Sequence, residues 1–230
     1  MASFLTPGRS YSPFSRETDW SQWRSHYMRY MKNVSHLVLC GSCTWALYAL
    51  RDEGILSSAP YYAMLSHGIV GSLRYSHSFF DNRVVNYTHD VTKRIARMGL
   101  LPLINSQIAL EILDDPHIAG LFGCLYVIPL LTHPILKTHE YSDYVYDLVA
   151  LAGEIYLGCM STIEDRIGWS LMVEGDFLNR FFVTNLCRRL SVPSEEFYTL
   201  GLAVLCFLGP FFMKNIRIGD VISLTALNGK

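Results

Sequence analysis

The sequence predicts an all-α fold integral to a membrane, with about six transmembrane helices (five to six) and two amphipathic interfacial helices. Three observations carry this expectation. Residues 117–136, HIAGLFGCLYVIPLLTHPIL, hold no charged side chain over twenty positions. A helix of that length rises about 30 Å, the thickness of a bilayer's hydrocarbon core. Half of the 230 residues are hydrophobic and 17% are charged, where a soluble domain carries about 25%. Five further apolar stretches of sixteen to nineteen residues alternate with polar segments.

Taken in order, residues 1–33 predict a polar arm followed by an interfacial helix. Asp19 and Gln22 stand at capping-box spacing. Trp20, Trp23, Tyr27, Tyr30 and Met31 then recur at helical intervals, with Arg24, Arg29 and Lys32 beside them. Aromatic and basic side chains at that spacing suit a helix at headgroup level, or one packed on a partner. Residues 34–213 are the multi-pass transmembrane domain. Its first two spans, 34–50 and 55–73, make a hairpin across the polar turn Arg51-Asp52-Glu53-Gly54. Ala59 and Ala63 lie four apart, which lets another helix approach closely.

A basic connector, 74–97, leads to a weaker third span over 98–113, where Pro102 is expected to introduce a kink. The fourth span is 117–136, its far end bent by Pro129 and Pro134. The fifth, 144–160, carries Asp147 and Glu154 seven apart and so on one face. That face must turn to protein, a cavity or an interface rather than to lipid. In the connector 161–196, Phe177, Leu178, Phe181, Phe182, Leu186 and Leu190 form an apolar stripe, with Arg180, Arg188 and Arg189 as its charged part. This stripe predicts the second interfacial helix. Pro193, Glu195 and Glu196 mark a helix start ahead of the sixth span, 197–213. Residues 214–230 are a mildly polar tail.

Basic residues orient the array. With the N-terminus inside, the inner segments hold fourteen Lys and Arg and the outer segments five. Both termini are therefore expected on the inside face. Spans of about seventeen residues suit a thin membrane. The N-terminal stretch lacks the apolar core of a secretory signal. The six cysteines lie mostly in apolar runs and do not read as a disulfide framework. Together these features favour the mitochondrial inner membrane. A net charge of −1 gives no reason to expect nucleic acid.

No phosphate-binding loop, H-E-x-x-H, G-x-S-x-G or nucleotide fingerprint is present. No enzyme activity and no catalytic residue are expected. Cys40-Gly41-Ser42-Cys43 has C-x-x-C spacing but no second pair, so no metal site is expected. His36, His67, His117 and His133 lie in or at spans, and histidine pairs across helices can ligate haem b. The third and fifth spans carry no histidine and two of the four fall on one helix, which argues against haem. Bound phospholipid is expected instead. Glu154 and His67 reach similar depths from opposite sides. With Asp147 they are the candidates for an intramembrane polar contact or a proton relay.

These features predict an accessory, non-catalytic subunit of a large membrane-embedded bioenergetic complex, of respiratory-chain or ATP-synthase type. Its contribution would be scaffold and contacts to other membrane subunits and to lipids. The alternatives are a small transporter or proton-relay channel using Glu154 and His67, and a haem-b electron-transfer subunit.

Overall fold

The structure, a computed structural model, describes residues 16–80, 82–136, 139–190, 192 and 194–214. The expected polar arm before residue 16 and the C-terminal tail after 214 lie outside the described residues, as does Pro193. So do the side chains of Trp20, Trp23, Arg24, Pro129, His133, Pro134 and Arg188. The fold is all-helical, and no strand occurs among the described residues. The helices are α1 (Arg16–Ala49), α2 (Ile55–Ser76), α3 (Arg83–Met98), α4 (Leu101–Glu111), α5 (Pro116–Leu136), α6 (His139–Ile163), α7 (Ile167–Phe177), α8 (Thr184–Leu190) and α9 (Ser194–Lys214). A π-helical turn, Leu178–Val183, joins α7 to α8.

Helix α1 is continuous for 34 residues, so no break separates the expected interfacial helix from the first span. It packs along α2 on one side and α9 on the other. Helices α1 and α2 come close at Gly68, where an added Cβ would meet the His36 carbonyl oxygen at 3.2 Å and the Cys40 nitrogen at 3.3 Å, and again at Gly71. A Cβ at Gly71 would run into the His36 ring, so glycine is what leaves room for that ring between the two helices.

The expected third span takes a different form. The chain leaves α3 at Gly99, whose φ of 79° with ψ of −171° is a backbone conformation open to glycine, and its N–H returns to the Ala96 carbonyl at 3.0 Å. Helix α4 then begins at Leu101, with Pro102 in its first turn, where a proline costs no hydrogen bond and causes no kink. At 11 residues α4 rises about 16 Å, half a bilayer. Eight of those residues are buried, and the helix packs against α2, α5 and α6. Its polar side chains are used internally. Asn105 Nδ2 donates to the Gly153 carbonyl at 2.8 Å and Ser106 Oγ to the Ala119 carbonyl at 2.7 Å. Helix α4 is thus an interior strut tying α5 and α6 together.

The expected interfacial stripe over 177–190 has the opposite sense. Phe177, Leu178, Phe182, Leu186 and Leu190 face outward, while Arg180 points in, its side chain 3% exposed. The wide i→i+5 turn shifts the side-chain register, and Asp176 one turn back supplies a buried counter-charge. Helix α9 starts at Ser194 with Glu195 and Glu196 in its first turn, as the sequence predicts. Among the described residues, Ser194–Met213 is the one helix long and apolar enough to cross a membrane, and Pro116–Val127 is a shorter apolar helical stretch.

Candidate functional site

Buried polar side chains gather in two clusters, with a cavity of about 390 Å³ whose wall includes members of both. The first cluster stands on α1, α2 and α3. His36, His67 and His89 are 1%, 4% and 1% exposed, and their ring centroids lie 5.0 to 5.6 Å apart. One ligand nitrogen from each lies within 4.8 Å of the others. Each Nδ1 has a partner. His36 Nδ1 meets the Lys32 carbonyl at 2.7 Å, and a carbonyl can only accept, so this nitrogen carries the proton. His67 Nδ1 meets Thr92 Oγ1 at 3.2 Å. The Thr92 hydroxyl already donates to the His89 carbonyl at 3.0 Å, so His67 Nδ1 is the donor there. His89 Nδ1 instead accepts from Arg74 Nη1 at 2.7 Å. Burial and then the Arg74 cation hold His89 down at about 4, so it is neutral near pH 7. The Nε2 atoms of His36 and His89 are sealed from solvent with no hydrogen-bond partner.

Beside the trio, Glu195 bridges two lysines. Lys93 Nζ lies 2.6 Å from Oε1 and Lys32 Nζ 3.2 Å from Oε2. Burial alone would push the Glu195 carboxyl up, but the two cations outweigh it and hold it down at about 2.

The second cluster is built around Arg180. Its guanidinium lies 3.4 Å from Asp176 and 3.8 Å from Asp147, and donates to the Arg97 carbonyl. Arg97 itself pairs with Asp147 at 3.4 Å. Glu154, 3% exposed, belongs to the same charge group, beside Asp176, Arg180 and Asp147. Burial works against the Arg180 charge, but Tyr198, Asp176, Asp147 and Glu154 outweigh it and keep the group cationic.

The structure therefore brings Asp147 and Glu154 together, as their spacing predicts, but with Arg180 and Asp176 rather than with His67. His67 and Asp147 line the same cavity, whereas Glu154 is not in its wall. Of the interfacial candidates, Arg29 closes the end of α2, donating to the Tyr75 carbonyl at 3.1 Å and to that of Arg74 at 3.4 Å. Arg189 is exposed. His117 is exposed at the start of α5 and stands apart from the trio. The close packing of the trio's rings leaves no room for a porphyrin between them, so these residues do not fit haem. His89, Asp176 and Lys93 were not singled out by sequence reasoning. The signals present were Asp176 to Arg180 at i,i+4 and His89 to Thr92 at i,i+3. No protein-family model, curated protein or solved structure matches the chain.

Proposed function

We propose that the protein is a non-catalytic accessory subunit of a membrane-embedded bioenergetic complex, with the mitochondrial inner membrane as its setting. One observation carries this reading: helices that bury polar and charged side chains within the core also turn rows of large apolar side chains outward. On α6, Leu148, Leu151, Ala152, Ile155 and Cys159 are exposed, while the opposite face buries Gly153, Glu154 and Leu157. On α1, Leu37, Val38 and Tyr48 are exposed while Ser35 and His36 are buried; on α2, Tyr62, Ile69 and Leu73 are exposed while Ser57 and His67 are buried. In water, large apolar side chains gain by turning inward and charges by turning outward. Rows of exposed apolar side chains around a core that also holds charged groups suit lipid or partner helices as surroundings.

The transporter or relay alternative draws less support, because Glu154 and His67 sit in separate clusters. The test has two steps. Membranes are first washed with alkaline carbonate, and release of the chain would overturn the membrane setting. Mild-detergent extracts are then run on native gels. The expected result is migration within a larger assembly; a lone 26.2 kDa chain in its lipid belt would overturn the subunit reading.

A further inference from the structure

We propose that His36, His67 and His89 form a binding site for one divalent transition-metal ion of the zinc class, which clips α1, α2 and α3 together. Sequence spacing offers no hint of it, since the three residues lie on three helices. The geometry points to it in three ways.

First, the donors converge. One nitrogen from each ring lies within 4.8 Å of the other two. A tetrahedral zinc with Zn–N bonds of about 2.0–2.1 Å needs its donors about 3.3 Å apart. Side-chain rotation of about an ångström closes that difference. Imidazole donors suit zinc, copper, nickel and iron, and do not suit magnesium or calcium.

Second, the protonation pattern of two rings is already that of a ligand. The carbonyl of Lys32 and the hydroxyl of Thr92 each take a proton from an Nδ1, leaving a bare lone pair on the Nε2 of His36 and of His67. Metal-bound histidines are held in this way by a hydrogen bond from the other nitrogen. The His36 lone pair is buried and has no partner among the side chains around it. A buried acceptor left unmade is costly, and a metal ion is the partner that suits it.

Third, the remaining ring has its support at hand. His89 Nδ1 accepts from Arg74, so its own proton sits on Nε2. Binding requires that proton to leave Nε2 and one to sit on Nδ1, with Arg74 giving way. Asp90 Oδ1 is 3.9 Å from His89 Nδ1 and 3.8 Å from Arg74 Nη1. It can accept the new Nδ1–H while keeping Arg74 as its ion partner, which makes a carboxylate–histidine–metal arrangement. Lys32, Arg74 and Lys93 all lie close to the trio. Glu195 bridges the two lysines and lines the same cavity as His67, so a carboxylate is at hand beside the site and the cavity is the path by which a fourth ligand enters.

The test uses the full-length chain, purified in mild detergent without chelator and then dialysed against limiting Zn²⁺ or Co²⁺. Elemental analysis is expected to give one zinc per chain, and Co²⁺ to give the visible absorption of a four-coordinate site. His36→Gln, His67→Gln and His89→Gln should each abolish the cobalt spectrum, while His117→Gln keeps it. Asp90→Asn should weaken binding by about 10- to 100-fold. Zn²⁺ should raise the melting temperature of the wild type and leave that of His67→Gln unmoved, which separates a lost site from a lost fold. Zinc content far below one per chain with no cobalt spectrum would overturn the proposal. So would a spectrum that survives His36→Gln and His67→Gln.

Discussion

Replacing Arg180 with methionine should be among the most damaging single changes in this protein. The guanidinium is the central cation among Asp176, Asp147 and Glu154, and its side chain and that of Asp176 are 3% and 5% exposed. Methionine fills a similar volume, so packing is largely kept and the charge is what is lost. Breaking a buried ion pair by removing one partner costs about 3–5 kcal/mol, because the other charge is left buried and uncompensated. For a chain of this size each kcal/mol moves the melting temperature by about 2–4 °C, so the expected drop is roughly 6–20 °C. The assay is far-UV circular dichroism on heating, in mild detergent. Arg180→Met combined with Asp176→Asn should recover a large part of the loss, since the anion nearest the guanidinium is then gone. A single variant within about 0.5 kcal/mol of the wild type would refute the argument, as would a double variant no better than the sum of its parts.

Three further outcomes are expected. Glu195 is held at about 2 from an ordinary 4.5, so the stability it contributes is present above pH 4.5 and is lost as pH falls towards 2. The full shift corresponds to about 3 kcal/mol, and screening of its 29% exposed side chain reduces this to about 1–2 kcal/mol. Melting curves from pH 6 to 2.5 should show the wild type losing stability that Glu195→Gln never had; parallel curves would exclude the bridge. Gly71→Ala places a Cβ against a His36 ring already enclosed by His67, Tyr75 and His89. It should cost about 1–3 kcal/mol of overpacking, and an unchanged melting temperature would mean that α1 and α2 are not this close. Ile155, 59% exposed on the outer stripe of α6, tests the surroundings directly. In lipid Ile155→Lys costs about 3 kcal/mol of insertion, so the carbonate-resistant fraction should fall sharply, whereas in water the change would be nearly neutral.

Much of the helical layout was legible because uncharged runs and polar turns are local signals. Arg51 to Gly54 separates α1 from α2, and Asp114 with Asp115 separates α4 from α5. The misreadings came where one residue's backbone mattered more than composition. Gly99 looks like an ordinary member of an apolar run over 98–113. Its left-handed φ divides that run into the end of α3 and a separate buried helix. Likewise the stripe over 177–190 was read at the period of a regular helix. The π turn at Leu178–Val183 breaks that period and carries Arg180 inside.

The sites were less legible than the helices because apolar side chains lie on both the inner and the outer faces of these helices. A helix pattern says that one face of α6 is polar, and it placed Asp147 and Glu154 together correctly. It does not say which neighbour meets that face, because apolar positions lie both in the core and on the outside and so do not index the core by themselves. Partner choice is then left to the polar groups themselves. Glu154 and Asp147 are met by Arg180, and Asn105 of α4 takes the Gly153 carbonyl between them in sequence. His67, whose position along its run matches the depth of Glu154, is taken by Thr92 and the two other histidines. Where rows of apolar side chains face outward as well as inward, helices can slide past one another at little cost, and buried hydrogen bonds and ion pairs are what penalise the wrong register. The polar interior is on this argument the element that selects one arrangement of the bundle, and a variant lacking both the Arg180 and the Asn105 contacts should remain helical while losing its single packed form.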